Sequence, residues 1–492
     1  TEAGIDASEV IATDGNVTVI ADSDATVETI SAGGALAKQN GIAGSLSTVV
    51  LTNETRATIT DSTVDADRNL IVMSDQDGGI VTVAGAAAFG QEAAGVGISL
   101  AVSVVDNTTE AYIDSSTVSA LGDDSDVYTI PVWDDEGVES TETLSGLAVI
   151  ASSTETMYLA SASVGFGDTS GVGMNLAPTV VTDVTHAFIQ DTDVNGAASP
   201  GGDVIVRSHQ GTDFDVLLIA GGAAINSDAL SAIGIAAGGI VVNNDTQAWI
   251  SDTDPSTITG DGRSQIHAGG RLEVSSRTAT TLISILLGAS LSQQFAGAGT
   301  VNFIGLENTN RATMSEVDAF SAGDLTISAV DYNDLFAIAG GAAIGKTGSV
   351  GGTFLVMTNE NVTEALLVNA ATNAAGKTTV RADSNASVGG IAAAGAVGLK
   401  GAFNAVATIY VGRTETRAII EGDTRQAQVN QDSDYDATGQ TVEVNAENSI
   451  TADFLAGGLA GGGGAGVGGN LIWMDLQNTV DAHIGSGAKV AA

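Results

Sequence analysis

Apolar and polar residues alternate along most of the chain, and the alternating segments are rich in β-branched residues. Val17-Thr18-Val19 and Val204-Ile205-Val206 are clear examples. A period of two residues is typical of strands that bury one face. Asn-x-Thr triplets at Asn53, Asn107 and Asn361 separate the apolar runs, and we expect them to form turns. No segment combines a sustained 3.6-residue period with helix caps. The pattern therefore predicts an all-β protein with little helix.

A short motif, T-x-A-x-I-x-x-S-x-V-x-A, recurs along the chain. It begins at Thr1, returns at Thr55 and again at Thr109, and weaker copies follow. Repeats of about 50 residues indicate stacked supersecondary units rather than independent domains. We therefore predict one continuous β-solenoid over residues 1-492, with about eight units of ~53 residues in their shortest form. The expected unit boundaries are 3-56, 57-110, 111-186, 187-247, 248-311, 312-364, 365-417, 418-481 and a partial unit at 482-492.

Each unit also contains a segment of Gly, Ala and small apolar residues that is interrupted by a polar break. Leu455–Met474 alone resembles a membrane span, but its counterparts contain Lys38-Gln39-Asn40 and Gln91-Glu92, which a bilayer core disfavours. Glycine within a strand often marks the close approach of another backbone. We predict that these segments form thin inner strands of a parallel β-helix and do not span a membrane. Right-handed coiling is expected from the usual hand of parallel crossovers.

Length variation is concentrated in one connection of the unit. From the V-x-V strand to the next motif alanine the count is 40 to 44 residues, whereas from that alanine to the V-x-V strand it is 13 to 36. Insertions at one repeat position project from one side of a solenoid. That side is the predicted contact surface for partners. The inserts are 121-144, 195-203, 254-270 and 422-440.

Composition limits the core and the partners. The chain has 63 Gly and only 4% aromatic residues, so its core must be built from Ala, Val, Ile and Gly. The absence of Cys excludes disulfides and thiolate metal sites. A net charge of −43 argues against nucleic acid as a partner, because phosphate binding needs clustered Lys and Arg. We interpret most of this charge as a solubility feature.

Two acidic stretches match part of a calcium-binding loop, in which alternate side chains supply oxygen ligands. The first departs from the pattern because Gly202 holds the twelfth position, and the second because Ala437 holds the sixth. The same carboxylates also occupy ordinary turn and strand positions of the repeat, as Asp61 does. The sequence therefore requires no cofactor, and calcium is the one candidate. The candidate ligands are Asp191, Asp193, Asn195 and Asp203 in the first stretch, and Asp432, Asp434, Asp436 and Glu443 in the second.

Catalytic motifs are missing from the sequence. The four His residues are scattered without metal-ligand spacing, no phosphate loop follows a strand, and no nucleophile elbow is present. The acids between Asp123 and Glu142 have no base among them, so we interpret this insert as a solvated loop or a weak divalent-cation site. We predict that the protein is not an enzyme.

The combination of A-x-I-x-x-S-x-V, V-x-V-x-A-x-S, the AGGAA/GVGG pair and N-x-T resembles the repeats of large bacterial surface adhesins. The leukotoxin-family filamentous adhesins and haemagglutinin-like exoproteins are the families concerned, and the resemblance covers almost all of the chain. It implies a parallel β-helix outside the cell, at the cell surface, acting as a stalk or adhesive fibre. It supplies no catalytic residues.

These observations favour a non-enzymatic extracellular structural or adhesive repeat protein. The alternatives are a self-assembling, calcium-stiffened filament or surface-layer subunit and, third, a glycan-cleaving β-helix enzyme. Neither end of the sequence carries an evident cap, so we expect a segment of a longer chain or one that stacks end to end. The expected partners are further copies of the chain, end to end or laterally, and a receptor or glycan on a host or neighbouring cell.

Overall fold

A computed structural model describes residues 1–122, 127–226, 230–253, 263–423, 425–432 and 439–492. None of these residues is helical, and long parallel strands dominate. Three parallel sheets, which we call the front, back and narrow sheets, run the length of the molecule. The prediction of an all-β parallel solenoid is confirmed, whereas its right-handed coiling stays a prediction.

The strands of the three sheets alternate along the chain. The front sheet contains β1 (Glu2–Asp6), β4 (Gly41–Thr60), β7 (Ala94–Asp114), β12 (Ser170–Gln190), β15 (Ser231–Ser251), β18 (Phe295–Ser315), β21 (Gly348–Val368), β24 (Gly401–Glu421) and β27 (Ala465–Ile484). The back sheet contains β3 (Val17–Ala37), β6 (Leu70–Gly90), β11 (Gly146–Gly167), β14 (Asp203–Ala224), β17 (Leu272–Ser292), β20 (Leu325–Gly345), β23 (Lys377–Gly398) and β26 (Thr441–Gly462). The narrow sheet contains β2 (Glu9–Ala12), β5 (Thr63–Ala66), β8 (Thr117–Ala120), β13 (Asp193–Val194), β16 (Gln265–Ala268), β19 (Asp318–Ser321), β22 (Ala371–Ala374), β25 (Ala427–Val429) and β28 (Ala488–Val490). An antiparallel hairpin, β9 (Tyr128–Trp133) and β10 (Glu139–Leu144), stands apart from them.

One coil of the solenoid runs from a narrow strand to a back strand, turns, and returns along a front strand. The motif alanines pair directly from coil to coil, as Ala57 does with Ala111 and Ala111 with Ala187. The long strands number about 21 residues each and face one another, so the cross-section is flat. The sequence repeat is therefore the structural coil.

The recurring Ser of the motif joins successive coils at the corner between the front and narrow sheets. The backbone amide of Ser62 donates to Ser116 Oγ at 3.1 Å, and Ser62 Oγ donates to the carbonyl of Thr60 at 2.6 Å. The preceding residue bends the chain with a positive φ, 48° at Asp61 and 51° at Ser115. In these coils the hydroxyl residue therefore serves hydrogen bonding, whereas Val317 and Ala370 hold the same position in later coils and are packed in the core.

The apolar interior is divided into two main clusters. One lies at the narrow sheet and includes Ile59, Val64 and Leu70. The other lies between the middles of the front and back sheets and includes Phe214 and Tyr410. Beyond it, at the Gly/Ala-rich ends of the strands, the two long sheets approach so closely that mainly Gly, Ala and Ser fit between them, as in the small cluster of Ala43, Ala86 and Ala88.

Glycine makes this close approach possible. A Cβ on Gly173 would lie 2.0 Å from the carbonyl oxygen of Gly221 in the opposite sheet, and one on Gly95 would lie 1.9 Å from that of Phe166. These contacts confirm that the small residues of the repeat allow two backbones to meet. The polar break, such as Lys38-Gln39-Asn40, forms the turn between the two sheets.

The Asn-x-Thr triplets are not turns, and that prediction is wrong. Asn53, Asn107 and Asn361 lie within front strands. Asn53 and Asn107 pair with each other and point into the solenoid. The backbone groups at these positions form hydrogen bonds with the neighbouring coils. A polar residue here therefore indicates a polar layer inside the solenoid and not a break in the strand.

Two predicted inserts include strands of the narrow sheet, so their boundaries are wrong. β16 lies within 254-270 and β25 within 422-440. Extra residues precede the narrow strand β16, they follow the narrow strand in 195-203, and they lie on both sides of β25, with most of them after it. A count from one motif to the next cannot separate the two cases, since the narrow strands are only two to four residues long. Residues 254–262 and 433–438 lie outside the described part of the chain.

Candidate interaction site

The insert 121-144 contains a folded hairpin that covers the outer surface of the back sheet. Ile130 and Leu144 of the hairpin are fully buried, as are Ile71, Ile150 and Ile205 beneath them. The interpretation of this insert as a solvated loop is therefore wrong for β9 and β10. Every second residue of a back strand faces outward, so these isoleucines would otherwise be exposed to solvent.

Arginines of the back sheet hold the acidic hairpin. Arg207, whose side chain is 3% exposed, donates to the carbonyl of Pro131 at 2.9 Å and to Glu142 at 2.9 Å. Arg271 donates to the same Glu142 oxygen at 2.7 Å. Burial raises the pKa of Glu273, but the charge and hydrogen bonds of Arg207 outweigh this and leave that pKa below its ordinary value. The back sheet thus supplies the basic side chains that the acidic insert itself lacks.

One His lies beneath the hairpin, where it is buried against an aromatic ring. The rings of Trp133 and His209 stack with centroids 4.3 Å apart. Burial, together with the charge of Arg277, lowers the pKa of His209 to about 3. It is therefore neutral at physiological pH and serves as a packing residue.

A polar groove of about 490 Å³ lies on the outer surface of the narrow sheet. Its walls include Ala197 of one insert and Asp432 of another. The rings of His267 and Phe320 lie 6.4 Å apart on its floor, and burial lowers the pKa of His267. An aromatic ring among amide and carboxylate groups suits a polar ligand with an apolar face. The remaining lining residues are Gln265, Asp318, Ala319, Ala371, Asn373, Gln428 and Gln431.

The first set of predicted calcium ligands makes hydrogen bonds between coils. Asp191 accepts from the amide and the hydroxyl of Thr253, each at 2.6 Å. Asp193 accepts from the amide of Gln265 at 2.8 Å, and Asn195 Oδ1 from the amide of Ala120 at 2.7 Å. These oxygens are already used by donors of the protein.

Asp203 lies at the start of β14, where it accepts from the amide of Arg271 at 2.9 Å. Its pKa is raised, chiefly by burial. In the second set, Asp432 lines the groove and Glu443 forms an ion pair with Lys377. Asp434 and Asp436 lie outside the described residues. Within the described ranges, no three His, Asp or Glu residues are placed to share a metal ion.

A layer of polar side chains lies inside the solenoid, and it was not predicted from the sequence. Asn107 Nδ2 donates to Glu155 at 3.2 Å, and Gln210 Nε2 donates to Asp183 at 3.1 Å. Burial raises the pKa of both carboxyl groups, and the charge of Asp183 raises that of Glu155 further. Gly78 leaves the space that Glu155 fills, because a Cβ there would lie 1.8 Å from its carboxyl oxygen. The pair is sealed from solvent.

Sequence and structure comparisons identify no relative: no family model, no curated protein and no solved structure matches the chain. The resemblance to adhesin repeats therefore stays a prediction from the motifs. In the described part of the chain, no helix has the length and hydrophobicity of a membrane span.

Proposed function

We propose that this chain is a non-enzymatic, extracellular structural and adhesive repeat protein, a stalk or fibre segment of a large cell-surface adhesin. The observation that supports this most is the regular pairing of every coil with the next, while the inserts all lie next to the short narrow strands in the sequence. A framework needs uniform layers, and a specialised surface must grow where it does not disturb them. The repeat motifs add the adhesin resemblance.

The proposed contact site for a receptor or glycan is the groove on the narrow sheet. It lies between two inserts and contains Phe320 among polar side chains. Sugars present hydroxyl groups at their edges and apolar C–H faces, so amide and aromatic groups together can bind them. The excess of 59 Asp and Glu over 16 Lys and Arg argues against nucleic acid as the ligand.

The glycan-cleaving alternative has less support. Glycosidases place two carboxyl groups on either side of a bound sugar. Glu155 and Asp183 lie inside the solenoid, where no sugar can reach them, and of the two carboxylates that line the groove, Asp318 is held by Arg263 at 2.8 Å. The filament or surface-layer alternative differs from the proposal mainly in how copies associate.

The test measures adhesion and hydrolysis together. Beads coated with the chain should bind a subset of cells or immobilised polysaccharides, and Phe320→Ala with Asn373→Ala should weaken that binding. Thr313→Ala, which lies on the front sheet away from the groove, is the control. Release of reducing sugar ends from any bound polysaccharide would contradict the non-enzymatic proposal. Failure of the beads to bind any surface would contradict the adhesive one.

A further inference from the structure

The outer surface of the back sheet is apolar over its Gly/Ala-rich half. Residues that pair in register from strand to strand form columns across the sheet. Four such columns of eight residues face outward, and each of their members is Gly, Ala, Val, Leu, Ile or Phe. The columns begin at Ile30, Ala32, Gly34 and Leu36 in β3. Several members are strongly exposed, among them Ile30 at 81%.

The outer surface of the front sheet has the same character. Three outward columns of eight residues begin at Ile42, Gly44 and Leu46 in β4, and none of their members is polar. Charged side chains lie on the other half of each strand, for example Glu360 on β21 and Asp383 on β23. The Gly/Ala-rich half of the solenoid is thus apolar on both outer faces.

These faces are large for an exposed surface. With strands about 4.8 Å apart and about 3.3 Å per residue, the back face covers about 1,000 Å² and the front face about 750 Å². The largest apolar patch on a typical monomer is about 300–600 Å². A standard protein interface buries about 600–1,000 Å² on each partner. Either face is therefore large enough to form an interface between two copies.

The two faces also have complementary relief. On the front sheet, Gly299, Gly352 and Ala405 form the floor of a groove of about 740 Å³, with Val301 and Phe354 along one wall. On the back sheet, large residues of the Leu36 column form a ridge. In the three coils that contain the groove floor, this ridge consists of Leu291, Ile344 and Val397.

We propose that two copies of this chain associate side by side, with the back-sheet ridge of one copy lying in the front-sheet groove of the next. Ridge and groove occur in the same coils and share the spacing of the strands, so two solenoids with parallel axes match coil for coil. The contact joins different surfaces of the two copies, which leaves one free face at each end of the pair. Such a contact extends into a lateral array.

A second copy fits these faces better than a lipid surface does. Proteins that bind membranes place Lys and Arg beside their apolar residues. This chain has 16 Lys and Arg against 59 Asp and Glu, which an anionic lipid surface would repel. Lateral packing instead confines the contact to the apolar halves, and the acidic halves of both copies stay in water, where salt at 0.15 M screens their repulsion. The inference rests on the proposed structural role and specifies the surface through which copies associate.

Sedimentation velocity of the full 492-residue chain over a range of concentrations tests the contact. The wild type should form dimers and larger species in 0.15 M salt. A ridge variant, Leu291→Lys with Val397→Lys, should weaken association roughly tenfold or more, because it buries charges against an apolar floor. The matched control, Thr281→Lys with Asn385→Lys, adds the same charge to the polar half of the same strands and should associate like the wild type.

A second variant tests the groove. Gly352→Glu should fold normally, because a Cβ at Gly352 has no atom within 4 Å, and it should also weaken association. Mixing it with the ridge variant should restore pairwise association, since the unaltered ridge of the Gly352→Glu chain can lie in the unaltered groove of the ridge variant. Circular dichroism of each variant verifies folding.

Three results would overturn the inference. They are a wild type that stays monomeric at every concentration, a ridge variant that associates as the wild type does, and binding of the monomer to phosphatidylcholine vesicles without self-association. A monomeric wild type that still adheres to cells would leave the proposed function standing. A chain that self-associates but releases sugar would support the lateral contact and contradict the proposed non-enzymatic function.

Discussion

Individual carboxyl groups buried inside the solenoid make its stability depend on pH. Glu155 and Asp183 have raised pKa values, chiefly because they are buried, and burial raises the pKa of Asp331 to about 7. Such groups bind protons more tightly in the folded state than in the unfolded one, whose carboxyl pKa is about 4. Stability therefore falls as pH rises from about 4 through the raised folded values.

The first prediction concerns Glu155→Gln. The amide keeps the hydrogen bond from Asn107 but cannot ionise, so the variant should be more stable than the wild type at pH 8, by about 1–3 kcal/mol. At pH 5 the difference should shrink, because wild-type Glu155 is then protonated. Melting temperatures across this pH range measure it. A variant that is less stable at pH 8 would contradict the account of the buried pair.

Individual glycines differ in what they do, and a matched pair shows this. Gly173→Ala places a methyl group against the backbone of Gly221 and should lower stability by about 3 kcal/mol or more. Gly239→Ala is the control, because a Cβ there has no neighbour within 4 Å and should change stability by about 0.5 kcal/mol at most. Denaturant unfolding compares the two, and equal effects would count against the close approach of the sheets.

At the scale of elements, the motifs predicted the coil but not every strand within it. The T-x-A-x-I motif predicted the position of the corner between the front and narrow sheets, because its alanines are buried and pair from coil to coil. The position of β16 could not be predicted, because four residues give too weak an alternation beside a variable insert. The polar layer at Glu155 and the apolar columns outside the sheets depend on which strands face each other, and the chain order alone does not give this.

The hairpin leads to a prediction at this scale. Deletion of 123–142 should leave the solenoid folded, because its sheets pair without the insert. It should lower the melting temperature, since Ile71, Ile150 and Ile205 lose burial worth about 1.5–3 kcal/mol each. Glu139→Gln, at an exposed acid of the same hairpin, is the control. If the deleted protein loses its strand signal in circular dichroism, the hairpin belongs to the core.

Calcium is tested by melting in chelator and in millimolar calcium at matched ionic strength. Asp191, Asp193 and Asn195 already accept hydrogen bonds within the protein, so we expect the melting temperature to change by less than about 2 °C. A larger rise with calcium would contradict this. Loss of that rise in Asp432→Asn, but not in Asp191→Asn, would assign the ion to the second stretch.

At the scale of the whole molecule, the coils stack into a flat slab. Nine front strands at about 4.8 Å give a height of about 38 Å, and strands of about 21 residues give a width of about 70 Å. The sequence predicted the stack and the connection of the coil in which the inserts occur, but not that the 121-144 hairpin would fold onto the back sheet. It did not predict that one half of the slab would expose apolar faces. Which face of a strand lies inside is decided by the sheet that packs against it, and the sequence of the strand alone does not show this.

The account depends on a continuous stack of coils, and cryo-electron microscopy of the purified chain tests this most directly. It predicts a flat slab about 70 Å wide, with one layer of strands every ~4.8 Å along the stacking axis and the narrow sheet along one edge. A particle that divides into separate compact domains, or one whose strands do not continue from coil to coil, would contradict it.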